Sequence, residues 1–159
     1  SKILLEVIDM KDKKSTQARS EDGSEGLLLW KEFSVYLFDE DTNRDYVGDF
    51  IQELAKSDPS TTENIVNIIE RLLGGKGLQA EMLKGKKPKI KKLALGDKLY
   101  ELREYSTQLR KQLRIYFSVD SKNKKIVFLN ACFKSDDKRQ DKDIKLAVSR
   151  YQKYLNKQK

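Results

Sequence analysis

Residues 91–118 constrain the fold more than any other part of the chain. Along residues 113–119 apolar and polar side chains alternate. Leu113, Ile115, Phe117 and Val119 take one face and Arg114, Tyr116 and Ser118 the other, because successive side chains of a strand point to opposite sides. Just upstream, Tyr100 and Leu102 share a face, and Leu99, Glu101, Arg103 and Tyr105 share the opposite one. A short polar break between the two runs predicts an antiparallel hairpin. Residues 125–134 predict a third strand, with Val127, Leu129, Ala131 and Phe133 on one side and Phe128, Asn130, Cys132 and Lys134 on the other. Paired in sequence order, these strands bring Arg103, Arg114 and Lys134 to one sheet face. A solvated face of a half-buried sheet explains any one of them; three together point to an anion.

The distribution of charge points the same way. The 159-residue chain carries a net charge of +8. Residues 84–114 hold 11 Lys and Arg against 3 Asp and Glu, while the rest of the chain balances, so the whole excess lies around the two arginine strands. A patch of this kind concentrates phosphate-bearing partners and speeds their encounter. Lys84, Lys86, Lys87, Lys89, Lys91 and Lys92 crowd into nine residues immediately before the first arginine strand and look like the rim of an anion site.

The chain contains no histidine. That removes the usual zinc and iron sites, the commonest general base, and any Ser–His or Cys–His nucleophile pair. A single cysteine, Cys132, excludes an internal disulfide. No cofactor and no metal is expected. Apolar runs fall short of membrane-spanning length and no secretory pattern is present, so the expectation is a cytoplasmic protein with no membrane contact.

The length suits one domain with an appendage. Residues 1–30 are expected to hold a short strand and a polar loop, and residues 31–159 the folded domain. Residues 27–38 predict a buried strand. A helix over residues 45–55 follows, with Tyr46, Val47, Phe50, Ile51 and Leu54 in one stripe. Ser57-Asp58-Pro59-Ser60 breaks it, and Thr61 or Thr62 is placed to cap the next helix, whose Ile65, Ile68, Ile69, Leu72 and Leu73 fit helical spacing. Gly74-Gly75 ends that helix, and a ragged helical turn recurs over residues 78–83. A last helix is expected from about Asp141, with Ile144, Ala147, Val148, Tyr151 and Leu155 inward. The sum is an α+β layout with helices against one face of a small antiparallel sheet.

At this point the residues resemble a known family. Ile90-Lys-Lys-Leu93, then Leu99-Tyr-Glu-Leu-Arg103, and after the hairpin Leu113-Arg-Ile-Tyr-Phe117, are similar to the arginine strands of the RelE superfamily of bacterial toxins, and more closely of its HigB-like, phage-derived branch. Ile126-Val-Phe-Leu129, Phe133-Lys134, Lys138 and Asp143-Ile144 with Ala147 resemble its last strand and closing helix. The likeness spans roughly residues 32–155. It implies two N-terminal helices packed on one face of the sheet and a C-terminal helix. The chain departs from the family's usual pattern at Lys134-Ser135-Asp136 and at Arg139-Gln140, and in lacking the histidine that the HigB branch often uses.

The resemblance further implies the toxin of a type II toxin–antitoxin system: a metal-independent endoribonuclease that cuts mRNA on the ribosome and is neutralised by an antitoxin protein. Attack of a ribose 2′-hydroxyl on the adjacent phosphate needs cations on the developing charge. Arg103 and Arg114 are expected in that role. Lys92, or another lysine of its loop, is the candidate base, and Lys134 a candidate at the phosphate or the leaving group. Lys86, Lys87, Lys89, Lys91, Lys98, Lys138 and Arg139 are expected along the RNA, and Tyr116 could stack on a base. The rival expectation is a non-catalytic module that binds RNA or protein on the same sheet. DNA binding by the lysine loop ranks last, for want of a recognition helix.

Overall fold

The computed structural model describes residues 33–40, 45–74, 77–93 and 99–159. The strand and loop expected over residues 1–30, and Lys98, lie outside them. Strand β1 (Ser34–Leu37) is followed by helices α1 (Tyr46–Ser57), α2 (Pro59–Gly74) and α3 (Gly77–Met82). Then come β2 (Ile90–Lys92), β3 (Leu99–Ser106), β4 (Lys111–Asp120), β5 (Lys125–Phe133) and helix α4 (Asp137–Lys157). The five strands form one sheet in the order β1-β5-β4-β3-β2. All neighbours pair antiparallel except β1, which lies parallel to β5. The α+β reading with an antiparallel meander is therefore the observed fold; the parallel edge and the three-residue β2, carved from the end of the lysine run, were not expected.

The period-two pattern of the strands forces two cores. Val35, Leu37, Leu102, Leu113, Ile115, Phe117 and Val119 pack with Val47, Ile51, Leu54, Ile65, Ile69 and Leu72 of α1 and α2 on the first face. Each such side chain contributes roughly 1.5–3 kcal/mol when fully buried. On the second face Tyr36, Phe38, Leu99, Tyr116, Val127 and Leu129 pack with Ile144, Ala147 and Tyr154 of α4. Helices thus cover both faces, against the expectation of one, because Tyr116, Val127 and Leu129 put apolar surface on the side opposite α1 and α2.

Alternation along the third strand breaks in the middle. Tyr116 pairs with Asn130 and Phe117 with Phe128, leaving Leu129 as an extra residue in β5. This bulge reverses the faces. Val127 and Leu129 join the α4 core, while Ala131 and Phe133 pack on the α1–α2 side, so the four do not share one face as strict alternation predicted. Arg150 of α4 stabilises the irregularity. Its Nη1 donates to the Leu129 carbonyl at 3.1 Å, and its guanidinium lies 3.7 Å from the Tyr46 ring centroid. Arg150→Lys keeps the charge but loses the planar stack; an expected cost of about 1–2 kcal/mol is checked by thermal unfolding.

The helix boundaries follow from capping. Asp45 Oδ1 accepts from the Gly48 N–H at 2.8 Å, and a Cβ on Gly48 would overlap that carboxylate. The cap of α2 is Asp58, not Thr61 or Thr62. Its Oδ1 accepts from the Thr61 N–H at 3.1 Å, with Pro59 at the first helical position. The last helix starts at Asp137, one turn before the expected Asp141, because Asp136 caps it by accepting from the Arg139 N–H at 2.8 Å.

Candidate nucleic-acid interface

β3 and β4 place Arg103 directly opposite Arg114 in the ladder. Directly opposed side chains lie about 4.5–5.5 Å apart at Cβ and share a face, so the two guanidinium groups leave the sheet on the same side. Two like charges side by side need a counter-charge, and Glu101 supplies it. Its Oε1 lies 3.5 Å from Arg103 Nε and its Oε2 3.9 Å from Arg114 Nε. Glu101 has no solvent exposure, Arg114 is 7% exposed, and the Arg103 side chain is 29% exposed. Of the two arginines, Arg103 is the one that reaches solvent.

The carboxylate is loosely held. Among the described residues, neither oxygen of Glu101, nor Arg114 Nε, nor the Tyr116 hydroxyl has a hydrogen-bond partner, and 3.5–3.9 Å is longer than a good charge-assisted bond. The row behind the arginines is therefore buried, charged and incompletely satisfied. Cys132, opposite Arg114 on β5, is half-buried; burial first, then Asp143, pushes its thiol up to about 12, which disfavours the thiolate.

Register sorts the remaining candidates. Lys91 pairs with Glu101 and so faces the arginine side, whereas Lys92 pairs with Tyr100 and faces the side of α1 and α2. Lys134 follows β5, with its N–H donating to the Gln112 carbonyl at 2.7 Å, and is exposed beside the arginine face. Lys138 and Arg139 are exposed in the first turn of α4, and Arg139 Nε lies 3.9 Å from Asp143. Lys86 and Lys87 are exposed in the loop before β2, where Gly85 takes the left-handed φ of +72° that the turn requires. Lys89 pairs with Glu104 at 2.9 Å. Tyr116 is fully buried under α4, so no base can reach its ring; it is core. Burial pushes its hydroxyl pKa up.

Two contributors escaped the sequence reading. Glu101 shares the arginine face by alternation, but its burial depends on packing across the sheet and has no local signature. Tyr105 also shares that face and is 50% exposed, the one exposed aromatic side chain among the described residues. Its place at i+2 from Arg103 was the signal that could have found it. Among the described residues, no group of three or more His, Cys, Asp or Glu side chains is set to hold a metal ion, and no helix is long and apolar enough to cross a membrane.

A family model described as phage-derived protein Gp49-like matches residues 40–152. No curated protein and no solved structure matches the chain. The matched span contains α1 to α3, all four strands from β2 to β5, and most of α4.

Proposed function

Because the chain belongs to the phage-derived Gp49-like family, a family of RelE/HigB-like toxins, we propose that it is the toxin of a type II toxin–antitoxin pair, of the HigB-like branch, and that it cuts mRNA on the ribosome. Its partners are then mRNA, the ribosome and a cognate antitoxin, and its place of action the cytoplasm. The observation that carries this reading is the Arg103–Arg114 cross-strand pair on one sheet face, with Lys91, Lys134, Lys138 and Arg139 exposed around it.

The chemistry asks little else of the protein. The 2′-hydroxyl attacks the neighbouring phosphorus, its proton passes to a base, and the 5′-oxygen leaves with a proton, giving a 2′,3′-cyclic phosphate and a 5′-hydroxyl end. Preorganised cations aimed at the phosphorane oxygens supply the largest share of the acceleration. Arg103, solvent-accessible and not hydrogen-bonded to Glu101, takes the phosphate directly. Arg114 lies behind it and adds positive potential from a site of low dielectric. The base role falls to Lys91, which faces the arginines, in place of Lys92, which faces away. Lys134, Lys138 and Arg139 hold the flanking phosphates, with Lys134 nearest the leaving oxygen. Lys86 and Lys87 extend the cationic track along the strand.

Controlled expression tests the reading. Wild type is expected to arrest bacterial growth and to leave cuts in ribosome-bound mRNA mapped by primer extension. Arg103→Ala is expected to cut at least about tenfold more slowly, equivalent to about 1.4 kcal/mol. Equal toxicity of the two chains would remove the catalytic assignment. One observation favours a second reading: Glu101 neutralises much of the arginine pair from a buried position. A non-catalytic RNA- or protein-binding module would protect mRNA on the ribosome without cutting it, and footprinting separates the two.

A further inference from the structure

We propose that the cleft beside Tyr105 is a subsite for one unpaired nucleobase of the RNA, with the Tyr105 ring as its stacking surface. This deepens the RNA-cutting reading and rests on it for the identity of the ligand.

The cleft exists because β2 is short. Its pairing with β3 ends at Ile90 opposite Leu102, so residues 103–106 of β3 run on past it. Two loop carbonyls reach that edge: the Arg103 N–H donates to Lys89 O at 2.7 Å and Arg103 Nη2 to Pro88 O at 3.3 Å. What remains open is a cleft of about 390 Å³, bordered by Lys87, Pro88, Arg103, Glu104, Tyr105 and Gln112. That volume lies in the range of small-ligand sites and suits a base with its ribose.

Its lining has the parts that hold a base. The Tyr105 ring is half exposed, and the backbone beneath it is fixed by its N–H donating to Glu104 Oε1 at 3.1 Å. Gln112 lies directly opposite Tyr105 across the ladder and brings an amide that both donates and accepts. Lys89 Nζ fixes the Glu104 carboxylate at 2.9 Å. Arg103 borders both the cleft and the arginine pair, two residues or about 7 Å along the strand from Tyr105. A phosphate on Arg103 therefore delivers its own nucleotide's base, or the next one, onto the ring. A half-exposed aromatic at a cationic groove is the arrangement by which proteins stack single-stranded bases without reading their sequence.

The test is a binding titration with a short single-stranded 2′-O-methyl RNA, which binds but cannot be cleaved, repeated at several salt concentrations. Tyr105→Ala is expected to weaken binding about tenfold, as the loss of one base–aromatic stack does, with an unchanged salt slope. Tyr105→Phe is expected to bind as wild type. Arg103→Ala is expected to lower the salt slope by about one. If Tyr105→Ala binds within a factor of about two of wild type, or alters the salt slope as Arg103→Ala does, the subsite is overturned. Ribosome-dependent cleavage by wild type is scored separately. Its absence with stacking intact overturns the nuclease reading and leaves the subsite, and its presence with stacking lost does the reverse.

Discussion

Replacing Arg114 with methionine in an otherwise unchanged chain is expected to destabilise the fold by about 3–5 kcal/mol, the usual cost of leaving a buried charge without its partner. The geometry sets that magnitude. Among the described residues Glu101 is fully buried, accepts no hydrogen bond, and has only Arg103 and Arg114 within ion-pair distance. Arg103 is partly solvated, so its compensation is diluted, and most of the counter-charge comes from Arg114. Glu101→Leu alone is expected to cost a similar amount, since it leaves Arg114 buried beside Arg103. The double variant is expected to recover most of the loss, because an apolar pair of similar volume is often as stable as a buried ion pair. Urea midpoints for the four chains of the cycle decide it. Additive losses would mean that the two side chains do not act as a pair. The cycle also makes Arg103→Ala a cleaner probe of chemistry than Arg114→Ala, whose lost activity would be confounded with lost stability.

Asp58→Ala is the second large effect, at about 2–4 kcal/mol from a lost helix cap together with orphaned buried hydroxyls. Asp58 joins three elements. Its N–H closes α1 on Leu54 O at 2.7 Å, its Oδ1 caps α2, and its Oδ2 accepts from Thr61 Oγ1 and Ser106 Oγ, each at 2.6 Å. Ser106 ends β3, and its Oγ in turn accepts from the Leu109 N–H in the hairpin turn at 3.1 Å. Hydrogen bonds from Ser106 and then Thr61 hold the Asp58 carboxyl below its ordinary range, against the opposing effect of burial. A depressed carboxyl pKa stabilises the fold above the unfolded pKa, and that contribution is lost as pH falls through the folded value. Wild type is therefore expected to weaken below about pH 4. Asp58→Asn keeps part of the cap and is expected to fall less than Asp58→Ala at neutral pH, with a flatter acid limb. Asp120 adds to the same limb. Burial pushes its carboxyl up, but bonds from Asn123 and Tyr154 outweigh this and leave it lowered. Equal pH profiles for wild type and Asp58→Asn would show that this carboxylate is not the sensor.

The elements that the sequence made legible are those fixed by local period. Residues 113–119 alternate without exception, and the structure keeps Arg103 and Arg114 on one face as that pattern required. The stripes of α1 and α2 were readable for the same reason. What stayed hidden depends on contacts distant in sequence. The Leu129 bulge has no residue signature, since Val, Phe, Leu and Asn continue β5 on either register. The burial of Tyr116 and Glu101 follows from packing on the second sheet face, whose apolar residues come from four strands and a helix. Lys92 and Lys91 are alike in type and adjacent; only pairing with β3 decides which one faces the arginines. From sequence alone Asp58 reads as part of a helix break, because its partner Ser106 lies 48 residues away.

The parallel edge has a kinetic consequence. Ser34 on β1 and Lys125 on β5 are 91 residues apart, while β3, β4 and β5 close through short local turns. Non-local pairing is slow because loop closure must precede any reward from contact. The meander that carries both guanidinium groups can therefore zip up while β1 is still unpaired. During synthesis, among the described residues, β1 has no strand partner until β5 emerges, so this edge of the sheet waits for a strand made late.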